Sequence, residues 1–158
     1  ENPDLTIVGL RFFNVYGPNE FYKGSTASMA IQLGHQILDG KAPRLFKGSD
    51  KIKRDFIYIE DVIQANIKAC NPKMSGVYNI GTANPRSFQD LADILQKELS
   101  TSFVTEYFDN PYIGYQTHTQ ADILSTQENL DFEPRFSLEK GIKKYIAEIK
   151  RLHGENIL

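Results

Sequence analysis

Cys70 is the single cysteine in 158 residues. One thiol excludes an internal disulfide and makes a reducing, cytoplasmic setting the expectation. Histidine is scarce as well. His35, His118 and His153 are scattered without ligand spacing, so no metal site is expected. No apolar run approaches the roughly 18 residues that a membrane span requires. An excess of charge is also missing. The formal net charge is −2, which supplies no field to hold nucleic acid. The eight tyrosines and ten phenylalanines fall within strand and helix patterns rather than between basic residues. Neither a nucleic-acid nor a membrane partner is therefore expected. What remains is an ordinary soluble composition, 41% hydrophobic and 24% charged, long enough for one domain.

The chain opens with Asn2-Pro3-Asp4 and passes at once into Leu5-Thr6-Ile7-Val8-Gly9-Leu10-Arg11-Phe12-Phe13. This run reads as a strand over 5–13, buried on both faces as in a parallel sheet. A central strand rarely opens a domain, so the chain is expected to be the later part of something longer. Apolar periodicity predicts a helix over 25–39, with Ser25 as N-cap and Gly40 as its stop. Strands follow at 43–46 and 52–59. A helix follows over 61–70, capped by Asp61 and ended by Asn71-Pro72. A strand is expected at 77–80. Ser87 and Asp90 form a capping-box start for the next helix. A strand at 103–108, a short helix at 121–129 and a final helix opened by Ser137 complete the chain. In that last helix Leu138, Ile142, Tyr145, Ile146, Ile149 and Leu152 point inward, and Lys143, Lys144, Lys150 and Arg151 form a solvated face. Strands alternate with helices, so the class is α/β.

Three loops carry the candidate chemistry. Gly17-Pro18-Asn19-Glu20-Phe21-Tyr22-Lys23-Gly24-Ser25 puts one lysine between a strand and a helix. It is not a phosphate P-loop, because the lysine precedes the second glycine and Pro18 removes an amide donor. Phe46-Lys47-Gly48-Ser49 reads as a turn on which a flat group can rest, with Gly48 permitting close backbone approach. Arg54 lies beside Asp55. Its guanidinium suits a pyrophosphate, and it equally suits an ion pair with the neighbouring carboxylate. Tyr78-Asn79-Ile80-Gly81-Thr82 ends a strand in a glycine turn, where α/β sheets place ligands, though a plain turn reads the same. Tyr115, near His118, is either a ligand clamp or a cover over the core.

Arg11-Phe12-Phe13-Asn14-Val15-Tyr16-Gly17-Pro18, Arg54-Asp55-Phe56-Ile57-Tyr58-Ile59-Glu60-Asp61-Val62 and Tyr78-Asn79-Ile80-Gly81 together resemble the later half of the extended short-chain dehydrogenase/reductases that act on nucleotide sugars. Asn19 to Ser28, Leu45 to Ser49 and Tyr115 to Asp122 are similar, more narrowly, to the ADP-L-glycero-D-manno-heptose 6-epimerases. The resemblance implies the later strands of a Rossmann-type parallel sheet joined to a small α/β substrate lobe. It divides the chain into residues 1–24, the sheet end and catalytic loop, and residues 25–158, the lobe with interleaved strands.

The implied reaction inverts C6 of the heptose in ADP-D-glycero-D-manno-heptose, for lipopolysaccharide core synthesis. NADP takes a hydride and returns it to the opposite face of a transient 6-keto intermediate. Each face then needs its own proton carrier. The resemblance makes one of them Lys23, whose work at neutral pH calls for burial or neighbouring cations. It assigns Val15 and Lys23 to NADP. It assigns Asn14, Ser25, Gln32, Phe46, Lys47, Gly48, Ser49, Arg54 and Tyr115 to ADP-heptose. Gln32 stands where relatives carry histidine, and Lys47 replaces an acidic residue. The resemblance also implies a homo-oligomer for the full-length protein, since members of the family are usually multimeric.

Neither G-x-x-G-x-x-G nor a Tyr-x-x-x-Lys pair occurs in the chain. Tyr16 leads to Glu20, and Tyr145 leads to Ile149. The cofactor-binding half is therefore expected to lie outside these residues, and the isolated chain is expected to be inactive. Two alternatives stay open: another epimerase or dehydratase of the same superfamily, and a nucleotide-sugar binding module without catalysis.

Overall fold

In the computed structural model, which describes residues 5–155, the element order is α/β throughout. Strands β1 (Val8–Phe12) and β2 (Asn14–Tyr16) lead into a 3-10 helix, Phe21–Thr26, and then α1 (Met29–Leu38). β3 (Arg44–Phe46), β4 (Lys53–Arg54) and β5 (Phe56–Tyr58) precede α2 (Ile59–Lys68). β6 (Gly76–Ile80), β7 (Arg86–Ser87) and α3 (Phe88–Leu99) follow. β8 (Glu106–Phe108), α4 (Leu124–Leu130) and α5 (Leu138–Gly154) complete the chain. No helix among the described residues is long and apolar enough to cross a membrane.

The strands pair as four short ladders. β1 runs parallel to β6 with Val8 opposite Gly76, β2 parallel to β5, β3 parallel to β8, and β4 antiparallel to β7. The expected strand over 5–13 is β1, and an unexpected short strand, β2, follows it because the chain changes partner. The Phe13 amide still donates to the Ile80 carbonyl at 3.0 Å, whereas the Asn14 amide donates to the Asp55 carbonyl at 3.0 Å. The run from Leu5 to Tyr16 therefore belongs to two ladders, with Phe13 at the switch. Asp55 breaks the expected strand over 52–59 in the same way, between an antiparallel and a parallel neighbour.

Burial of β1 on both faces is not observed. Val8 and Leu10 pack inward with Tyr78 and Ile80, but Ile7 is 64% exposed and Val77 on β6 is 65% exposed. Among the described residues β1 has a strand neighbour on one edge only. A parallel sheet normally covers both faces, and here one face carries apolar side chains into solvent.

The helices follow their apolar spacing. On α5, Leu138, Ile142, Tyr145, Ile149 and Leu152 are buried along one face, while Lys143, Lys144, Lys150 and Arg151 are exposed. They pack with Ile31, Leu33 and Ile37 of α1 and Leu91 and Leu95 of α3 in one core. Ile57, Val62, Ala65, Tyr78, Ile80 and Phe132 form a second. Gly141 lets α5 approach β2 closely, since a Cβ there would collide with the Tyr16 hydroxyl.

Helix starts follow local chemistry with two corrections. Ser87 and Asp90 form the reciprocal capping box, and the Ser137 hydroxyl accepts from the Lys140 amide. Ser25, however, does not cap α1. Gly24, at φ +52°, kinks the 3-10 segment, and the helix begins after Ser28. Asp61 does not cap α2 either. It is the third residue of that helix, fully buried, and accepts from the Arg135 and Phe136 amides at 3.0 Å each. Burial raises its pKa, and those amides oppose the shift.

Leu95→Ala should destabilise the chain by about 2–5 kcal/mol, by creating a cavity where α1, α3 and α5 meet. Ile67→Ala, on the exposed side of α2, should stay within about 0.5 kcal/mol. Denaturant melts with unchanged slopes are the check.

Candidate active site

The site is built where β2 and β5 end and the 3-10 segment crosses in front of them. Gly17 makes the turn out of β2 at φ +142°, with Ile59 so close that a Cβ would sit 2.5 Å from it. Asn19 follows in a left-handed conformation, φ +70°. Lys23 then emerges, exposed, and its ammonium makes no hydrogen bond or ion pair with the described residues. The burial that an acid–base lysine calls for is thus not supplied by this chain.

A cavity of about 470 Å³ opens beside it, lined by Asn14, Val15, Lys23, Arg54, Phe88 and Tyr115 among others. Met29, Phe88 and Tyr115 also line a second cavity of about 360 Å³, which holds Gln32, Phe46 and Ser49. The two are parts of one cleft. Eight of the residues expected from sequence are brought to it: Asn14, Val15, Lys23, Gln32, Phe46, Ser49, Arg54 and Tyr115.

Three expected residues line neither cavity. Ser25 is exposed in the 3-10 segment, where its carbonyl accepts from the Gln32 side chain at 3.3 Å. Lys47 turns outward to pair with Asp109 at 2.8 Å. Gly48, at φ +78°, forms the turn itself.

Arg54 is 7% exposed, yet no carboxylate pairs with it among the described residues. Its guanidinium donates to the Lys53 carbonyl at 2.9 Å and the Gln116 carbonyl at 2.5 Å. It lies 5.1 Å from the centre of the Tyr115 ring and 5.6 Å from that of Phe88. Of the two sequence readings, the ion pair with Asp55 is not formed. The guanidinium is oriented by neutral acceptors and aromatic faces, and its charge remains uncompensated at the cleft.

Asp55 is turned elsewhere and fully buried. Its carboxylate accepts from the Thr82 amide at 2.7 Å and hydroxyl at 2.5 Å, the Ala83 amide at 2.9 Å and the Ala121 amide at 3.0 Å. The Gly81 turn is therefore occupied structurally. A Cβ at Gly81 would sit 2.5 Å from Ala121 and 2.8 Å from Asp55. The loop after Tyr115 is secured beside it, with the Lys53 amide donating to Thr117 at 2.9 Å and the Thr119 amide donating to Lys53 at 3.1 Å.

Ser49 is 1% exposed, lines the second cavity, and its hydroxyl has no hydrogen-bond partner. A buried unpaired hydroxyl is costly and calls for a partner. Phe46 stands beside it, edge-on to Phe108 at 4.9 Å and Tyr115 at 5.4 Å. An apolar wall, one unsatisfied hydroxyl and one uncompensated guanidinium suit a flat polar ring joined to an anionic phosphate chain.

Sequence reading missed Met29, Phe88 and Phe108 as cleft walls, because an aromatic or methionine at helix or strand spacing reads as core. It also missed Asp55 and Glu20 as buried anchors. The Arg-Asp adjacency was the one available signal for Asp55.

These features define an α/β chain of Rossmann type with a ligand cleft at the carboxyl ends of its parallel strands. The model of the NAD dependent epimerase/dehydratase family matches residues 1–81, and the chain belongs to that family. Among solved structures it is similar to the ADP-L-glycero-D-manno-heptose-6-epimerase of Helicobacter pylori, with 47% identity and a TM-score of 0.86. The match covers 94% of this chain and 46% of that one. The UDP-glucose 4-epimerase of Thermotoga maritima, solved with UDP-glucose, matches at 28% identity and TM-score 0.84, covering 93% and 47%. The UDP-glucuronic acid 4-epimerase of Bacillus cereus, in complex with UDP-glucuronic acid and NAD, matches at 30% and 0.79, covering 96% and 47%. The chain thus spans about half the length of these relatives.

Burial raises the pKa of Tyr16 and of Tyr145, and the neighbouring Glu20 adds to the shift at Tyr145. Both phenols hold their protons more tightly folded than unfolded. The stability linked to them is complete below the ordinary tyrosine range near pH ~10 and is lost as pH rises above it. In an alkaline titration of tyrosinate absorbance, these two should ionise only together with unfolding, and Tyr145→Phe should remove one late-titrating phenol.

Proposed function

We infer that this chain forms the substrate-binding part of an NADP-dependent epimerase that inverts C6 of ADP-D-glycero-D-manno-heptose, with residues 25–158 as its lobe. The single observation that carries this reading is the cleft itself: Lys23, Asn14, Arg54 and Tyr115 surround one end, and Phe46 and the unpaired Ser49 hydroxyl form the other. The 47% identity to the Helicobacter pylori enzyme supports the choice of ADP-heptose over other nucleotide sugars.

Each residue has a task in this reading. Phe46 stacks against adenine, and the Ser49 hydroxyl bonds to the adenosine portion. The Arg54 guanidinium, already held over the Tyr115 ring, neutralises the pyrophosphate. Asn14 and Tyr115 orient the heptose, and Gln32, in the wall of the second cavity, takes the place of a histidine. Lys23 moves a proton at the C6 oxygen on one face. Lys47 and Gly48 contribute through the backbone of their turn, and Ser25 through the loop beside Lys23.

NADP fits these residues only at its rim. Val15 and Lys23 border the cleft, but no glycine-rich pyrophosphate turn occurs in the sequence. When bound, NADP supplies the hydride acceptor and donor. A dinucleotide-binding half must bring it, and the homo-oligomer and the cytoplasmic setting belong to that whole protein.

The chain alone should bind ADP, and Arg54→Ala should weaken that binding by about tenfold or more, with Ser49→Ala costing several-fold. Calorimetry gives the numbers, and a chain that prefers UDP-sugars would point to another epimerase of the superfamily. In the protein that joins this chain to its dinucleotide-binding half, Lys23→Met should cut turnover by about 100-fold or more. Unchanged turnover there would end the acid–base assignment. ADP binding without any epimerisation by that joined protein would leave a binding module.

A further inference from the structure

Glu20 is 4% exposed, and no cation pairs with it among the described residues. A buried carboxylate is expensive unless every lone pair finds a donor. Here neutral donors do all of the work. The Ser28 amide donates to Oε2 at 2.8 Å, and the Ser28 hydroxyl donates to Oε1 at 2.7 Å. The Tyr145 hydroxyl donates to Oε1 at 3.0 Å, and the Gly17 amide lies at 3.4 Å. These donors come from the exit of β2, the start of α1 and the middle of α5. They converge on both ends of the loop that presents Lys23.

The loop shows what this tie displaces. Ser28 is the N-cap residue of α1, yet its hydroxyl makes no capping bond and is used on Glu20 instead. A serine cap ordinarily contributes about 0.5–2 kcal/mol to a helix. The Glu20 carbonyl accepts from the Lys23 amide at 3.0 Å, the Lys23 carbonyl from the Thr26 hydroxyl at 2.8 Å, and the Gly24 carbonyl from the Ala27 amide at 3.0 Å. The Gln32 side chain holds the Ala27 carbonyl at 2.6 Å from the other side. Glu20 thus closes the segment with its side chain and opens the 3-10 turn with its backbone.

We propose that Glu20 is a positioning residue: its buried carboxylate, anchored on Tyr145 of α5 and Ser28 of α1, sets the loop that aims Lys23 into the cleft. A buried ionisable group retained where an apolar one would pack is explained by the geometry it imposes. Glutamine keeps one acceptor for the Ser28 amide, but its NH2 must donate where Oε1 accepted, so the Ser28 and Tyr145 hydroxyls have to reverse and the Gly17 amide loses its acceptor.

The proposal rests on the reading of Lys23 as the working end of this loop, but its test does not depend on catalysis. Native-state amide exchange separates a local tie from a global one. In Glu20→Gln, the amides of Lys23, Ala27 and Ser28 should exchange about tenfold faster or more, while those of α3 and α5 stay within about threefold. ADP affinity should also hold, since Arg54 and Ser49 make no contact with Glu20. A parallel acceleration across all helices, or an unchanged loop, would overturn the proposal. If Glu20→Gln does not fold, Tyr145→Phe serves in its place, because it removes one donor and leaves the ring; loop amides no faster than wild type would then be the contrary result. In the joined protein, Glu20→Gln should lower kcat about tenfold with KM nearly constant, and Glu20→Asp should restore part of it. Inert Lys23→Met kinetics would remove the catalytic reading and leave the exchange result standing.

Discussion

The carboxylate of Asp55 holds this structure together at the point where most of it diverges. It sits fully buried between β4 and β5 and takes donors from the turn after β6 and from the loop before α4. Because those donors occupy both of its oxygens, Asp55 is not available to its neighbour. Arg54 therefore reaches the cleft with its charge unneutralised, steadied by two carbonyls and two aromatic rings. The same knot secures the loop that brings Tyr115 over the site. One buried anion thus separates what is structural in the Arg-Asp pair from what faces ligand.

Glu20 repeats the device at the loop that carries Lys23. Among the described residues neither carboxylate has a cationic partner, both are met by backbone amides and hydroxyls, and each joins a strand end to a distant helix or loop. The cost of removing a charge from water is offset only when the donors are placed in advance. That placement makes such groups sensitive reporters of geometry. The cleft combines an apolar wall, an unpaired serine hydroxyl and an oriented guanidinium, while Lys23 stands at its mouth without a partner among the described residues.

Elsewhere the chain is held by ordinary burial. α1, α3 and α5 close one core over β5, and β6 and α2 share a second with Phe132. The outer face of the β1–β6 ladder shows Ile7 and Val77 to solvent. That surface agrees with a chain matching about half the length of its relatives.

The α/β class, the capping box at Ser87, the Ser137 start of α5 and the inward stripe from Leu138 to Leu152 were all legible in the sequence. Each depends on residues close along the chain, where period and cap chemistry decide the outcome. The family motifs likewise pointed to eight of the residues that line the cleft. What the tertiary structure alone decided is where strands change partner and which way polar side chains turn. Asp55 looks like strand interior and Phe13 like a strand end, yet each stands where one ladder ends and another begins. Asp61 and Ser25 look like caps, yet Asp61 serves amides from another loop and Ser25 lies in a kinked turn before the helix. Glu20 carries no sequence signal, because the donors that make its burial tolerable lie at Ser28 and Tyr145. Local order can be read from neighbours in the chain. The satisfaction of a buried charge depends on groups that only folding brings together.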